Sequence, residues 1–335
     1  MKIKATVPTR IDLAGGTLDV YPLYLFERGG LTVNAAIDCK AMVSVETRSD
    51  KAFTVRSKDL GAVEEIASLE EVTVGGPLDL VKRALSYYRP EIGLDILLHS
   101  EAPKGSGLGA SSALLMALSS CLNVIAGYDL DYGRIIDLGA NIEAQVIGIP
   151  TGKQDYFPPL YGGVCALWFD VDGAHHESLS VDNVLIEALN DRLIVSYTGI
   201  PHFSSVTNWA MLKRYIENQG DTVARMHEIK EIAIAMRDCL VRADFCEFPR
   251  LVDAEWQLRK GLAEGVTTPK IDAIMSAAAD AGALASKICG AGGGGCMITV
   301  ANPIDAAAVK KALVASGAQV MPARLVSQGL LLERS

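Results

Sequence analysis

The stretch Ala102-Pro103-Lys104-Gly105-Ser106-Gly107-Leu108-Gly109-Ala110-Ser111-Ser112-Ala113 decides how this chain is read. Three glycines alternate with other residues, two hydroxyls follow, and then the apolar run LLMALSSCLNVIA reads as a helix. A compact apolar run of strand length, Gly93 to His99, lies ahead of it. Glycines let backbone N–H groups turn inward and approach a ligand closely. The free N–H groups and dipole of a helix's first turn favour an anion. A polyphosphate suits such a loop.

Two familiar phosphate loops fit poorly. The pattern GxxxxGK[ST] fails because no Gly-Lys-Ser/Thr occurs. Gly105 to Ala110 satisfies GxGxxA, but that fingerprint needs a strand directly before it and an acid ending a second strand about 20 residues on. Here Ser100 to Lys104 intervene, and Asp129 lies in a turn between two helices. An NAD-dependent dehydrogenase is therefore a distant alternative, and a non-catalytic nucleotide or sugar sensor is another.

The bulk numbers narrow the class. A length of 335 residues suggests two domains, and half of the residues are hydrophobic. The net charge of −9 opposes a nucleic-acid partner, which needs a basic face. The seven cysteines form no CxxC pair, as expected of reduced thiols in a cytoplasmic protein. No uninterrupted apolar run reaches the length of about 18 residues that a membrane span requires, so no membrane partner is expected. The sequence does not fix the oligomeric state, monomer or homodimer.

Outward from the loop, residues 2–7 read as a strand that leads into a tight bend around Gly15 and Gly16, with Arg10 and Asp19 as candidate contacts for a hydroxyl-rich or phosphorylated ligand. Strands are expected over 31–38, 41–47 and 53–57, and a helix over 78–88. A helix over 129–148 carries Glu143 near its C-terminal end, where the dipole disfavours a carboxylate unless something pairs it. The bent loop 148–155 ends in Asp155. His175 and His176 are adjacent, which is poor metal-ligand spacing, and read as surface residues. A strand over 192–198 leads to the loop 199–205. Helical patterns follow over 206–263 and 269–285, then the loop Gly290 to Gly295, a strand over 297–300, a helix over 304–316 and a strand over 325–332. The expected fold class is α+β, with domains 1–182 and 183–335.

Three separated stretches, Arg10-Ile11-Asp12-Leu13, Pro103 to Ala113 and Gly290-Ala291-Gly292-Gly293-Gly294-Gly295, resemble in motif and order the GHMP kinase superfamily of galactokinase, homoserine kinase, mevalonate kinase and phosphomevalonate kinase. Within it, Arg10 to Gly16 with Asp19 resembles bacterial heptose 7-phosphate kinases and fucokinase-like sugar kinases, and Gly152 to Asp155 resembles the heptose kinases in particular. Gly16 and Thr17 stand where galactokinase has Glu-His, and His202 stands near a position where heptose kinases usually have a basic residue.

The resemblance implies a two-domain GHMP kinase fold. Its N-terminal α/β domain would be like domain 2 of the fifth small-subunit ribosomal protein, and its C-terminal α+β domain ferredoxin-like. It implies transfer of the ATP γ-phosphoryl group to a sugar or sugar-phosphate hydroxyl. The anomeric hydroxyl of a heptose 7-phosphate is the first choice, and a free sugar such as fucose, a uronic acid or a galactose relative is the alternative. Pro103, Lys104, Gly105, Ser106, Gly107, Leu108, Gly109, Ala110, Ser111 and Ser112 would hold ATP, and Ser111 and Glu143 would hold Mg²⁺. Asp155 would take or orient the acceptor's proton, with Arg10 stabilising the transferred charge. Asp19, Gly15, Gly16, Thr17, Gly152, Gly292 and Gly293 would face the acceptor, and Lys104 and Lys153 are candidate phosphate partners.

Overall fold

Alternation opens the first strand, and burial on both faces extends it. β1 (Lys2–Ala14) hides Ile3, Ala5 and Val7 on one face, and from Val7 to Ala14 every residue is buried. The strand expected over 2–7 therefore runs on past Pro8, with only a register shift between Pro8 and Thr9, where proline has no N–H for the ladder. Arg10 and Asp12 thus ride on a strand, and the turn begins at Gly15. A computed structural model describes residues 1–180, 183–202 and 204–335, and of Ser204 and Ser205 the backbone alone. The expected boundary between residues 182 and 183 touches residues outside this description.

After the short helix α1 (Leu23–Phe26), the two strands expected at 31–38 and 41–47 form one strand, β2 (Gly30–Thr47). β3 (Phe53–Ser57), β4 (Ala62–Ile66), α2 (Asp79–Tyr88), β5 (Leu94–Ser100), α3 (Ala110–Ile125), α4 (Tyr132–Ile147) and α5 (Phe157–Tyr161) follow. Then come β6 (Val164–Asp170), β7 (Gly173–Ser178), α6 (Asn183–Asn190) and β8 (Leu193–Tyr197). The helical stretch after it divides into α7 (Ser204–Ile216), α8 (Thr222–Val241) and α9 (Phe248–Arg259). The chain continues through α10 (Pro269–Asp280), β9 (Ala283–Ile288), β10 (Cys296–Ala301), α11 (Ala306–Ala315), β11 (Gln319–Val320) and β12 (Leu331–Arg334). The strand expected at 325–332 is thus β12, displaced toward the C-terminus.

The strands form two sheets. One runs β12-β1-β2-β5-β3-β4, and the length of β2 lets it pair with β6 along Gly30 to Ala35 and with β5 along Ala41 to Thr47. The other runs β11-β8-β10-β9. β12 returns to β1, so residues 331–334 close the edge of the first sheet. Helices α2 to α5 cover one face of the first sheet around Leu115, Leu118 and Leu122. Where β1 and β2 pass into the second half, Ile11, Leu13 and Val33 share a core with Met236, Val195 and Ile298. Such a continuous apolar seam holds the two sheets as one body.

The six buried cysteines and the exposed Cys246 are free thiols, as expected. Among the described residues no helix is long and apolar enough to cross a membrane. One surface expectation changes: His176 is partly buried, its ring stacked 4.1 Å from that of Tyr161, while His175 stays exposed beside Asp170.

Candidate active site

Gly105, Gly107 and Gly109 all adopt left-handed φ values near +70°, and Gly109 is the N-cap of α3. This alternation makes a nest of convergent N–H groups that suits an anion. Its carbonyls are tied down from outside. His202 N–H donates to Gly105 O at 3.1 Å, and Cys296 N–H to Ser106 O at 2.6 Å. Arg10 donates a guanidinium N–H to Gly107 O at 2.5 Å and its backbone N–H to Leu108 O at 3.2 Å. The Ser106 N–H is donated to Pro103 O at 3.0 Å, and with the carbonyls held outward the N–H groups of Gly105, Gly107, Leu108 and Gly109 have no backbone partner among the described residues. Glycine is required where the halves meet: a Cβ on Gly105 would lie 2.9 Å from His202 N, and one on Gly295 2.6 Å from Ser106 O.

The cavity over this loop has a volume of about 680 Å³. Arg10, Thr17, Asp19, Gly152 and Asp155 line it, together with Glu143 and the whole stretch Pro103 to Ser112. Arg10 and Asp155 meet across 145 residues. Arg10 Nε donates to Asp155 Oδ1 at 2.7 Å, and a terminal guanidinium nitrogen reaches the same oxygen. Burial works against the Arg10 charge, but Asp155 and Asp12 outweigh it. Asp155 Oδ2 has no hydrogen-bond partner among the described residues and lies beside Gly109 at the helix N-terminus.

Asp19 is 1% exposed and accepts from Gln154 N at 2.9 Å and Gln154 Nε2 at 3.3 Å. Burial pushes its carboxyl up to about 6, against the pull of the Gln154 N–H. Gly152 is glycine because any Cβ there would sit 2.1 Å from Asp19 Oδ2.

Glu143 is buried. Its Oε2 accepts from Ser112 Oγ and Tyr156 OH, each at 2.7 Å, and the Ser111 hydroxyl also reaches the carboxylate. No salt bridge from Lys, Arg or His to Glu143 occurs among the described residues, and burial raises its carboxyl. A buried carboxylate without a counter-charge, next to a hydroxyl at the mouth of the nest, is an all-oxygen donor set of the kind Mg²⁺ prefers.

Four expected acceptor contacts lie elsewhere. Gly15 packs against the Leu31 carbonyl, and Gly16 offers its own carbonyl to Arg259 at 2.7 Å. Gly292 abuts Val266 and Gly293 abuts His202, so from this loop only Gly290 and Ala291 reach the cavity. The packing of these glycines is structural: Gly15 and Gly16 let Ala233 and Arg259 of the second half approach, and Gly292 and Gly293 let their own loop lie against Val266 and His202. Lys153 also turns away, pairing with Asp137 at 2.6 Å, whereas Lys104 lines the cavity.

The sequence did not single out the apolar flank of Leu60, Pro77, Leu78, Leu98, Leu114 and Ile147, which gives the cavity one hydrophobic wall. It also did not single out Asn208. A more open groove of about 870 Å³ between α2 and α4 carries none of the motif residues.

The model of the GHMP kinases N terminal domain matches residues 79–163, and that of the GHMP kinases C terminal matches residues 236–319. Together they account for half of the chain. The chain belongs to the GHMP kinases. It is an ATP-dependent phosphotransferase.

Among its relatives is a D-glycero-alpha-D-manno-heptose 7-phosphate kinase of Campylobacter jejuni, 27% identical over 93% of each chain. Another is an L-fucokinase/L-fucose-1-P guanylyltransferase of Bacteroides fragilis, 28% identical over 96% of this kinase and 37% of that protein. A mevalonate kinase of Thermococcus onnurineus is also 28% identical, over 99% of each chain. A solved D-glycero-D-manno-heptose 1-phosphate kinase from Bacteroides thetaiotaomicron superposes with a TM-score of 0.80 at 25% identity, covering 99% of both chains.

Proposed function

We propose that this kinase transfers the γ-phosphoryl group of ATP to a sugar hydroxyl, with the anomeric hydroxyl of a heptose 7-phosphate as its first acceptor. The observation that carries the reading is the asymmetry of Asp155: Arg10 holds one oxygen, and the other has no partner among the described residues beside the phosphate nest. An acceptor hydroxyl would give its proton to Asp155 Oδ2 as its oxygen bonds to the γ-phosphorus. The bond to the β-phosphate oxygen would break, and ADP would leave. Positioning and charge neutralisation are the main demands of such a transfer. Arg10 answers the charge, and the amides of Gly105 and of Gly107 to Ser112 would cradle the phosphates.

Glu143 and Ser111 would hold Mg²⁺, which would supply charge neutralisation at the phosphates. Glu143→Gln should accordingly raise the magnesium concentration needed for half-maximal rate. An unchanged titration would remove Glu143 from that role. The apolar flank would take the adenine.

A free sugar is the second reading, and one observation favours it. The only arginine and lysine among the described lining residues are Arg10 and Lys104, and burial lowers the His202 pKa toward the neutral ring. That leaves little cationic charge for a second phosphate. A coupled ADP-release screen with MgATP over heptose 7-phosphate, fucose, galactose, a uronic acid, mevalonate and homoserine separates the readings. Turnover of the heptose phosphate supports the first reading, and turnover of neutral sugars alone supports the second. Turnover confined to mevalonate or homoserine overturns both.

A further inference from the structure

Thr17 is a β-branched residue at φ +79°, a conformation that such residues rarely adopt. A strained residue persists where its surroundings over-determine it, and such residues gather at ligand sites. The surroundings here are a buried relay. Arg259, fully buried, is fixed by Glu255 Oε1 through Nε at 2.8 Å and through NH2. It donates to Gly16 O at 2.7 Å and to Thr17 Oγ1 at 3.3 Å. Thr17 Oγ1 in turn lies 3.1 Å from Asn208 Oδ1 and 3.7 Å from Met211 Sδ. A hydroxyl has one proton to give, and an amide oxygen is a much better acceptor than a thioether. The amide oxygen of Asn208 is therefore engaged and its orientation fixed. Nδ2, on the other branch, makes no hydrogen bond among the described residues, and Asn208 lines the cavity beside Asp19.

We propose that Asn208 is an acceptor-binding residue whose amide, oriented by the relay Glu255–Arg259–Thr17, presents its N–H donors to an oxygen of the acceptor. The inference rests on reading the cavity as a phosphoryl-acceptor site. It gives that site complementary groups, because ionised Asp19 only accepts hydrogen bonds and Asn208 Nδ2 only donates. Arg259 and Glu255 are positioning residues in this scheme.

The test is steady-state ADP release by wild type, Asn208→Ala, Asn208→Asp, Thr17→Val, Thr17→Ser and the Asn208→Ala/Thr17→Val double variant, with thermal melts as a folding control. Loss of one donor should raise the acceptor KM about tenfold in Asn208→Ala, with the KM for ATP within about twofold of wild type. Asn208→Asp, which sets a carboxylate toward the acceptor, should raise it further. Thr17→Val should mimic Asn208→Ala, Thr17→Ser should retain a near-wild-type KM, and the double variant should be no worse than the poorer single one. An unchanged acceptor KM in both Asn208 variants overturns the inference, and additive effects in the double variant overturn the relay. If wild type uses only a non-sugar acceptor, the functional reading falls while the same KM ratios on that acceptor still decide Asn208. If no acceptor turns over, the loss of sugar-induced thermal shift in Asn208→Ala decides it instead.

Discussion

Asp155 and Asp19 share one wall of the cavity, yet their surroundings give them different work. Asp155 is partly exposed and charge-paired. Asp155→Asn keeps its shape and its contact with Arg10 while losing the proton acceptor. Turnover should fall by about 10² or more, with the melting temperature and ATP affinity near wild type, as read by ADP release and nucleotide titration. Asp19 is buried without a cation in contact, and its carboxyl sits near 6 rather than 3.8. The folded chain therefore binds its proton more tightly than the unfolded chain does, and stability falls as the pH rises through about 6. Asp19→Asn should accordingly melt at a higher temperature than wild type at pH 8, with the gain gone near pH 4. The buried and unpartnered Gln154 Oε1 can rotate to accept from the new amide. The same variant should raise the acceptor KM about tenfold through the lost charged acceptor, and wild-type kcat/KM for the acceptor should drop below pH 6. A pH-independent difference in melting temperature would count against the buried charge.

The loop before α3 was the most legible element, because everything it needs is local. Glycines at alternate positions, a strand before and a helix after can be read from a dozen residues, and the left-handed φ values fall on those glycines. Gly109→Ala should therefore fail twice, through its φ of +70° and through a Cβ placed 3.2 Å from the Asp155 carboxyl carbon. We expect a loss of about 1 kcal/mol in stability and a larger loss in turnover, measured by denaturant titration and ADP release. A melting curve like wild type's with full turnover would refute that packing. β1 was less legible. Its second half buries both faces, so no alternation marks it, and proline at position 8 reads as an end when it is only a shift in register. Gly292 and Gly293 count as acceptor contacts only through the resemblance of their loop, 290–295, to the family's glycine-rich motif. That loop's closest neighbours are Val266, His202, Ile200 and Ser106, and the sequence carries no sign of that approach.

At the scale of the whole molecule, two acids and two bases are buried between the halves. Lys287 Nζ lies 3.3 Å from Asp12 Oδ2 and 3.0 Å from Glu255 Oε2, and Arg259 completes the set. None of the four was legible as a group. They are up to 275 residues apart, and each type is most often found at a surface. The cluster joins β1, β9 and α9 directly behind the Gly15–Asp19 turn. Lys287→Met would leave two carboxylates sharing one arginine in a water-free interior. It should cost about 3–5 kcal/mol, read as a large fall in melting temperature, whereas a fall of only a degree or two would mean the cluster is solvated.

The four phosphate-loop carbonyls held by His202, Cys296 and Arg10 have a thermodynamic corollary. Two of those donors are His202, in the segment that follows β8, and Cys296, the first residue of β10, so the nest takes its shape from contact with the second sheet. Nucleotide affinity and the closure of the seam are then a single linked equilibrium. Whatever factor a closed seam adds to the affinity for ATP, bound ATP must return to the closure of the seam.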